Sequence, residues 1–389
     1  MCKIRNDAAR GRRDPQGREV FILIPLFFLI ALSILFLGHY FIYASLIYFF
    51  GVAAFEHSTA LALVLFLLPL SFIGSAFLAH WTDGFLTRVF YFCSSLWLGV
   101  GLTLVTAFCL TWVAWGVTRV LGWSPNPAWF GLAAVGATLL YCAYGVANAY
   151  HPRIVSLHVC IKNLPPSWRG KKLVQLSDVH LGRILGAGFL RRVVAKVNAL
   201  NPAMVCITGD LFDGTDGNLE ELVAPLNGLV APNGIYFVTG NHETYLGVQR
   251  SCAALTSTPV RVLADERVVV CGLQVVGISY PQRGHAVAFA QKMAMLPGFD
   301  PDLPSILLYH SPSQIAAAKV AGISLQLSGH VHRGQIFPLQ GITRLIFGKY
   351  YYGLHTEGNY TLYTSSGTGV WGPTMRTGNL PEIVALHLE

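Results

Sequence analysis

The sequence has few charged residues for its length. Only 12% of its 389 residues are Asp, Glu, Lys or Arg, while 53% are hydrophobic and the mean hydropathy is +0.51. Soluble globular domains carry about twice that charged fraction. These values therefore exclude a wholly water-soluble enzyme, and they exclude an intrinsically disordered chain for the same reason.

Paired cysteines are also missing. The eight cysteines include no C-x-x-C pair, so we expect free thiols and no zinc ribbon or disulfide scaffold. Two other motifs are incomplete. The glycine-rich residues 182–189 lack the lysine of a phosphate-binding loop, and SSGTG at 365–369 lacks the G-x-S-x-G pattern of a serine nucleophile.

The scarcity of charge is concentrated between positions 20 and 152, where only Glu56, Asp83, Arg88 and Arg119 are charged. A bilayer crossing needs about 20 apolar residues. Four stretches are long enough, namely 20–37, 59–79, 89–115 and 129–150. We therefore predict a transmembrane helical region over 20–150 with about four spans.

The uncharged aromatic segment 38–55 leaves the number of spans open. It is an interfacial segment, a continuation of the first helix, or a fifth span. The number matters because an even count returns the second half of the chain to the N-terminal side of the membrane, whereas an odd count places it opposite.

Positive charge favours the even count. Six Lys or Arg residues lie in residues 1–19 and five more follow the last span, at positions 153, 162, 169, 171 and 172. Cytoplasmic flanks of membrane helices are enriched in such residues. We expect a multi-pass protein of the inner cell membrane, with a basic cytoplasmic N-terminus over 1–19 and a cytoplasmic catalytic domain. The net charge of +8 is otherwise dispersed, so no nucleic-acid partner is expected.

The pattern of residue types changes after a linker predicted at 151–172. Short β-branched runs alternate with amphipathic stretches: LVQLSD, AMVCITGD and GIYFVTGN are separated by helical patterns at 189–200 and 218–229. Further strand-like runs follow at LQVVGIS, SILLYH and ISLQLSG. This order indicates an α/β domain over 173–389.

Almost every predicted strand of that domain ends at a side chain able to bind metal. These side chains are Asp178, His180, Asp210, Asn241, His310, His330 and His332. Ligands of α/β sheets bind beyond the carboxyl ends of the strands, and carboxylate with imidazole suits manganese, iron or zinc better than calcium. Seven donors are too many for one such ion. Two ions about 3.5–4 Å apart, which can hold a bridging hydroxide that attacks phosphorus, fit the number.

The blocks DVH at 178–180, GDLFD at 209–213, GNHE at 240–243 and GHVH at 329–332, together with His310, resemble the calcineurin-like metallophosphoesterases. The C-terminal SSGTGVWGPTMRTG and PEIVAL resemble the membrane-associated bacterial branch of that family. The resemblance covers about residue 173 to the C-terminus. It implies a two-sheet β-sandwich flanked by helices and a hydrolase with two divalent metal ions, manganese first and iron or zinc as alternatives.

The resemblance also implies roles for single residues. One metal would be held by Asp178, His180, Asp210 and His332, and the other by Asp210, Asn241, His310 and His330. His242 would stabilise the transition state or protonate the leaving oxygen, and Asp213 and Glu243 would orient histidine ligands. Arg183, Trp371 and Arg376 are weaker candidates for contacts with substrate phosphate.

The sequence thus predicts a membrane-anchored phosphoesterase acting on a phosphate ester or pyrophosphate. A lipid-linked substrate is favoured because the short linker keeps the domain at the membrane surface. A phosphodiesterase or phosphatase for soluble nucleotides and a catalytically silent membrane scaffold are the alternatives.

Overall fold

The computed structural model describes residues 15–51, 55–82, 84–214, 217–282 and 287–389. The first 14 residues, which hold five of the six basic residues expected to face the cytoplasm, lie outside the described residues.

Four long helices come first: α1 Pro15–Phe50, α2 Phe55–Trp81, α3 Phe85–Val120 and α4 Pro127–Ala149. Within the described ranges, each contains a stretch long and apolar enough to cross a membrane. The prediction of about four candidate spans is confirmed. The aromatic segment 38–55 continues α1 as far as Phe50, because it contains neither proline nor charge to end the helix.

Polar contacts hold α3 against α1. Three tryptophan Nε1 atoms of α3 donate hydrogen bonds to side chains of α1, at 2.8–3.0 Å: Trp97 to His39, Trp112 to Ser45 and Trp115 to Tyr48. Contacts of this kind are a usual means of joining apolar helices in a bilayer, where apolar burial drives no association.

After α4, the described residues form two sheets from twelve strands: β1 Arg153–Val159, β2 Lys172–Leu176, β3 Met204–Thr208, β4 Ile235–Val238, β5 Val260–Val262, β6 Glu266–Val270, β7 Leu273–Gly277, β8 Ser305–Leu308, β9 Leu325–Ser328, β10 Gly353–Glu357, β11 Tyr360–Thr364 and β12 Glu382–Leu388. The first sheet has the order β1-β12-β2-β3-β4-β5 and the second β10-β11-β9-β8-β7-β6. Each has six strands, and most neighbours are parallel.

The two sheets pack face to face and share one apolar core. Leu173 and Val238 of the first sheet lie in the same buried cluster as Val275, Ile306 and Leu325 of the second. The two-sheet α/β architecture is therefore confirmed. The carboxyl ends of β2, β3, β4, β8 and β9 carry the loops that form the site.

In the part of the chain that the structure describes, seven helices flank the sheets: α5 Ala187–Ala199, α6 Leu219–Val223, α7 Asn241–Leu246, α8 Val248–Ala254, α9 Phe289–Ala294, α10 Ile315–Val320 and α11 Gln340–Phe347. The helical patterns predicted at 189–200 and 218–229 correspond to α5 and α6. The second pattern continues after Val223 as the 3-10 turn Ala224–Gly228, because Pro225 has no N–H to donate within an α-helix.

The expected linker over 151–172 is wrong. Residues Arg153–Val159 form β1, which pairs in parallel with β12 along its whole length. The catalytic fold therefore begins only a few residues after α4 ends at Ala149. No flexible tether separates the membrane helices from the sheets.

Candidate metal centre

The structure brings the seven predicted metal-binding side chains together. They come from five loops: Asp178 and His180 after β2, Asp210 after β3, Asn241 after β4, His310 after β8, and His330 and His332 after β9. Parallel neighbours in each sheet place these loops at the same edge, and the face-to-face packing joins the two edges.

One group of donors consists of Asp178, His180 and His332, whose ligand atoms all lie within 4.8 Å of one another. The Nε2 atoms of His180 and His332 are 2.9 Å apart. The His332 Nε2 lies 3.4 Å from Asp178 Oδ1. We call these three residues the first half of the centre.

The second half consists of His310, His330 and Asn241. His310 and His330 form another such group with Asp210. Asn241 Oδ1 lies 2.8 Å from His330 Nδ1 and 3.1 Å from His310 Nε2. The amide oxygen of Asn241 thus faces the same point as the two imidazoles.

Asp210 lies between the two halves. Its Oδ2 is 3.1 Å from the Nε2 atom of His310 and 3.9 Å from that of His180. Its Oδ1 accepts a hydrogen bond from the backbone N–H of His242. The carboxylate is therefore positioned to contact ligands on both sides.

Glycines beside the donors allow the loops to approach closely, as their places in the motifs predict. A Cβ at Gly240 would lie 2.1 Å from Asp210 Oδ1, and one at Gly329 would lie 2.1 Å from Asp178 Oδ2. Neither position tolerates a larger residue without displacing a donor carboxylate.

Several donors have strained backbone. Asp178, His180, Asp210, His330 and His332 all have φ between 46° and 74°. Residues other than glycine rarely adopt this left-handed conformation, and sparsely populated backbone of this kind costs of order 1–3 kcal/mol per residue. Five of the seven predicted ligands carry this strain, a concentration typical of functional sites.

Burial keeps most of the imidazoles neutral. It lowers the pKa of His330 to about 4 and the pKa values of His180 and His332 well below the ordinary histidine value. A neutral imidazole offers a lone pair to a metal ion, whereas the protonated form does not. These histidines are therefore available as ligands at neutral pH.

The buried Asp210–His310 pair behaves differently. Burial alone would raise the pKa of Asp210, but the neighbouring His310 outweighs it and lowers that pKa. Burial opposes protonation of His310 as well, yet Asp210 raises its pKa to about 10. Burial raises the pKa of Asp178 to about 6. Asp210 and His310 thus favour each other's charged form.

Divalent cations fit this set of donors. Asp178 and Asp210 are almost entirely buried, and buried carboxylates need a cation or a hydrogen-bonded partner. The remaining donors are imidazole nitrogens and an amide oxygen, with no thiolate among them. This chemistry suits manganese, iron or zinc.

His242 lies at the edge of the centre with its ring 4.6 Å from that of His180. Its Nδ1 is 2.8 Å from the carbonyl oxygen of Asp213, to which it donates, so Nε2 is directed elsewhere. Burial lowers the pKa of His242. His242 also lies within 4.8 Å of donor atoms of His180 and Asp210, and His310 makes a similar Nδ1 hydrogen bond to the carbonyl of Thr208. The geometry of His242 therefore fits either a ligand or a group that contacts the substrate.

The two carboxylates expected to orient histidines act differently. Glu243 is entirely buried and accepts hydrogen bonds from the backbone N–H groups of Asp210, Phe212 and Gly240, at 2.6–3.2 Å. It therefore fixes the loop that carries Asp210. Asp213 Oδ1 is 3.8 Å from His180 Nδ1, too far for a hydrogen bond, and Asp213 orients His242 through its backbone carbonyl instead.

The three weaker substrate candidates have three different surroundings. Trp371 is 54% exposed, and its ring lies 5.7 Å from that of His242. The Arg183 guanidinium donates a hydrogen bond to the carbonyl of Ala79 in α2; its contact with substrate stays a prediction. Arg376 is 0% exposed, which is incompatible with the expected phosphate contact. Its guanidinium instead donates a hydrogen bond to the backbone carbonyl of His332.

Sequence patterns did not indicate some residues around the centre. The ring of Tyr280 lies 5.8 Å from that of His310, and the ring of Phe347 lies 6.2 Å from that of His330. Asn379 donates hydrogen bonds to the carbonyls of His332 and Arg333. No sequence motif surrounds Tyr280 or Phe347. Asn379 lies three residues after Arg376 in a glycine-rich stretch, and that position was the only sequence signal for its role.

Comparisons with known proteins agree with this geometry. The model of the calcineurin-like phosphoesterase family matches residues 171–334. A Bos taurus "Transmembrane protein with metallophosphoesterase domain" is 34% identical over 301 residues, covering 71% of this chain and 67% of that protein. A Danio rerio protein of the same name is 34% identical over 276 residues, covering 65% and 61%. An uncharacterized metallophosphoesterase of Campylobacter jejuni is 33% identical over 262 residues, covering 66% and 68%.

Among solved structures, a dimetal phosphatase from Danio rerio aligns with 51% of this chain and 88% of its own, with a TM-score of 0.33 and 12% identity. That likeness is too low to carry an inference about the site.

The chain thus belongs to the calcineurin-like metallophosphoesterase family. Its four apolar helices and its transmembrane relatives make it a membrane protein. It spans 61% of the length of the Danio rerio relative.

Proposed function

We propose that this protein hydrolyses a phosphate ester or pyrophosphate at a membrane and uses two divalent metal ions. Each half of the centre would hold one ion, and Asp210 would bind both. The observation that carries this proposal is the position of the Asp210 carboxylate, 3.1 Å from His310 and 3.9 Å from His180. Asp178, His180 and His332 would complete one ion's shell, and Asn241, His310 and His330 the other's.

The ions, when bound, supply an activated water and stabilise negative charge on the phosphate oxygens. Manganese is the first candidate, with iron and zinc as alternatives. His242 supplies the proton. Its Nδ1 donates to the Asp213 carbonyl, so the ring presents an Nε2–H to the leaving oxygen only when it is protonated. Because burial lowers the pKa of His242, this form is favoured at acidic pH. Such proton transfer contributes about 10²- to 10⁴-fold to a rate.

We propose a lipid-linked substrate because an apolar cavity adjoins the centre. The cavity has a volume of about 330 Å³ and is lined by His330 and His332 together with Ile336, Leu339 and Trp371. Ile336 also packs in one cluster with Cys142 of α4, and Leu339 lies against that cluster. Two residues that line the cavity thus also pack toward α4, and an apolar chain could extend into the cavity from a phosphate held at the ions.

Helix α11 forms the outer side of this region and exposes an apolar face. Ile342, Leu345 and Ile346 are 57%, 86% and 68% exposed, and their spacing places them on one side of the helix. No residue of α11 is buried. An amphipathic helix of this kind binds at the surface of a bilayer with its apolar face inward. Leu339, the residue before α11, packs toward Cys142 of α4, and this neighbourhood supports a bilayer as the partner of the helix.

We further propose that the four helices cross the inner membrane and that the catalytic domain lies on its cytoplasmic side. The basic residues before α1 and after α4 support this orientation, because cytoplasmic flanks are enriched in Lys and Arg. A reporter enzyme fused to the C-terminus, active only outside the cytoplasm, would contradict it.

The activity is tested with the full chain purified in detergent. We expect hydrolysis of bis-p-nitrophenyl phosphate with manganese, its loss after chelation, and its return when manganese is added back. Hydrolysis that persists after exhaustive chelation would contradict the mechanism. No hydrolysis of any phosphate ester would instead support a catalytically silent scaffold.

The substrate class is tested by comparing phospholipid and lipid pyrophosphate in mixed micelles with cyclic and linear nucleotides. We expect kcat/KM to be higher for the lipids, and higher for long acyl chains than for short ones. Faster turnover of nucleotides, independent of micelles, would favour the soluble-nucleotide alternative.

A further inference from the structure

A short segment, residues 373–379, lies between the membrane helices and the first half of the centre; we call it the strap. Met375 in the strap is fully buried, in one cluster with Cys142 of α4 and Ile336 of the loop that follows His332. The side chain of Arg376, the next residue, is also fully buried. Adjacent residues of the strap thus contact the membrane helices and the catalytic loop.

Hydrogen bonds fix the strap to α4. The backbone N–H of Arg376 donates to the carbonyl of Gly145 at 2.8 Å, and its carbonyl accepts from Asn148 Nδ2 at 3.2 Å. The Tyr141 hydroxyl donates to the carbonyl of Thr377 at 2.7 Å. These bonds determine the height of the strap along α4 as well as its distance from it.

Two glycines provide the space for the strap. A Cβ at Gly99 of α3 would lie 2.7 Å from Met375 Sδ, and a Cβ at Gly145 of α4 would lie 2.5 Å from Thr377 Cγ2 and 3.2 Å from Met375 Cβ. Other glycines of the same helices are different: a Cβ at Gly116 of α3 or Gly136 of α4 would meet nothing within 4 Å.

On its other side the strap binds the loop of His332. Arg376 Nη1 donates to the carbonyls of His332 and Ser366, at 3.2 and 2.6 Å, and Nη2 lies 3.0 Å from His332 Nδ1. Asn379 Nδ2 donates to the carbonyl of His332 at 2.8 Å. The strap therefore supplies hydrogen-bond donors to the backbone carbonyl of one predicted ligand and places the Arg376 guanidinium beside the ring of that ligand.

His332 needs such support because its φ is 46° and the φ of Arg333 is 47°. Both values lie in the left-handed region, which is unfavourable for residues with a side chain. Left without partners, this turn would relax toward ordinary backbone and move the ring. The required position is narrow, since His332 Nε2 lies 2.9 Å from His180 Nε2 and 3.4 Å from Asp178 Oδ1.

We propose that α3 and α4 position His332 through the strap, so that the membrane helices form part of the scaffold of the first half of the centre. Arg376 and Asn379 are positioning residues in this arrangement. Met375 packs against the helices and thereby fixes the position of both residues relative to them. The inference rests on the proposed function only in treating His332 as a metal ligand; the mechanical connection stands on the contacts alone.

The test compares Gly145→Leu, which displaces the strap, with Gly136→Leu on the same helix. The readouts are manganese bound per chain and hydrogen–deuterium exchange of full chains in nanodiscs. We expect Gly145→Leu to lower the bound manganese from two ions toward one and to accelerate exchange in residues 329–335. Exchange in 208–213 and 240–243 stays unchanged, and Gly136→Leu resembles the parent in both readouts. Gly99→Leu and Gly116→Leu form a second matched pair on α3.

Equal exchange in 329–335 for Gly145→Leu and Gly136→Leu would overturn the proposal. If Gly145→Leu does not fold, the pair on α3 decides in its place: faster exchange confined to 329–335 in Gly99→Leu but not in Gly116→Leu supports the inference, and equal exchange in the two variants overturns it. The exchange readout does not need bound metal. A parent protein that binds no manganese would contradict the proposed function while leaving the connection between α4 and His332 open to the same test.

Discussion

The two halves of the candidate centre are held in different ways. In the first half, His332 is supported by Arg376 and Asn379, whose segment is bonded to α4. In the second half, His310 Nδ1 donates to the carbonyl of Thr208 at 2.7 Å, and the neighbouring Asp210 loop is fixed by Glu243. One half therefore depends on contacts with membrane helices, and the other on contacts within the sheets.

This difference shows that the membrane helices are more than an attachment. A domain joined by a flexible linker would keep both halves when the helices are disturbed. Here β1 begins at Arg153, directly after α4, and the strap returns to the same helix from the C-terminal end of the chain. Disturbing α3 and α4 should therefore affect one half of the centre and spare the other.

The largest effect is expected from Asp210→Ala, because Asp210 is the residue that both halves share. Its removal should abolish hydrolysis and leave fewer than two ions bound, since each ion loses a ligand. Elemental analysis of the purified protein together with the aryl phosphodiester assay checks both. Retention of two ions with the parent rate would show that the halves do not share this carboxylate.

His242→Asn is expected to have the next largest effect, although His242 belongs to neither half. The rate should fall by about 10²- to 10⁴-fold while two ions stay bound. The loss should be smaller for a p-nitrophenyl ester than for an alkyl ester, because a good leaving group needs less protonation. A drop in bound metal would instead make His242 a ligand, as its proximity to His180 and Asp210 permits.

Glu243→Gln should weaken the binding of both ions, because Glu243 fixes the loop of Asp210, the residue that both halves share. The side-chain amide would place an N–H group against backbone N–H groups that now donate to the carboxylate, so this loop would loosen. The dissociation constants of the ions should rise by about 10- to 100-fold. Hydrogen–deuterium exchange should increase in residues 208–213 and not in 329–335, the reverse of the result expected for Gly145→Leu. Glu220→Gln, at an exposed position of α6, is the matched control.

Local patterns predicted most of the fold. The four spans follow from the length of apolar runs, because a bilayer imposes a minimum length on each crossing. The buried strands at β2, β3 and β4 follow from β-branched runs that end in small residues. The strand β1 was missed because it forms only by pairing with β12 at the opposite end of the chain, and no local pattern reports such a partner.

The candidate ligands could be predicted for a related reason. Each follows a strand and has a glycine or another donor beside it, so sequence position alone indicates which edge of a sheet it reaches. The role of Arg376 could not be predicted in this way. An arginine among glycines resembles a phosphate contact, and only the folded chain shows that its guanidinium is buried behind His332. Likewise, the eight residues of α11 give too short a pattern to separate a helix that packs from one that stays exposed.

The smallest effect is expected where neither half is touched, at the apolar face of α11. The double variant Leu345→Ser and Ile346→Ser should raise the KM for long-chain lipid substrates several-fold, because the exposed face would no longer enter the bilayer surface. Bound manganese and the hydrolysis of a soluble aryl ester should stay at the parent level, since neither side chain is buried. Val320→Ser is the control, because Val320 is 89% exposed on α10. An equal change in KM for the lipid and the soluble ester would mean that α11 supports the centre itself, through Phe347 against His330, rather than the approach of an apolar chain.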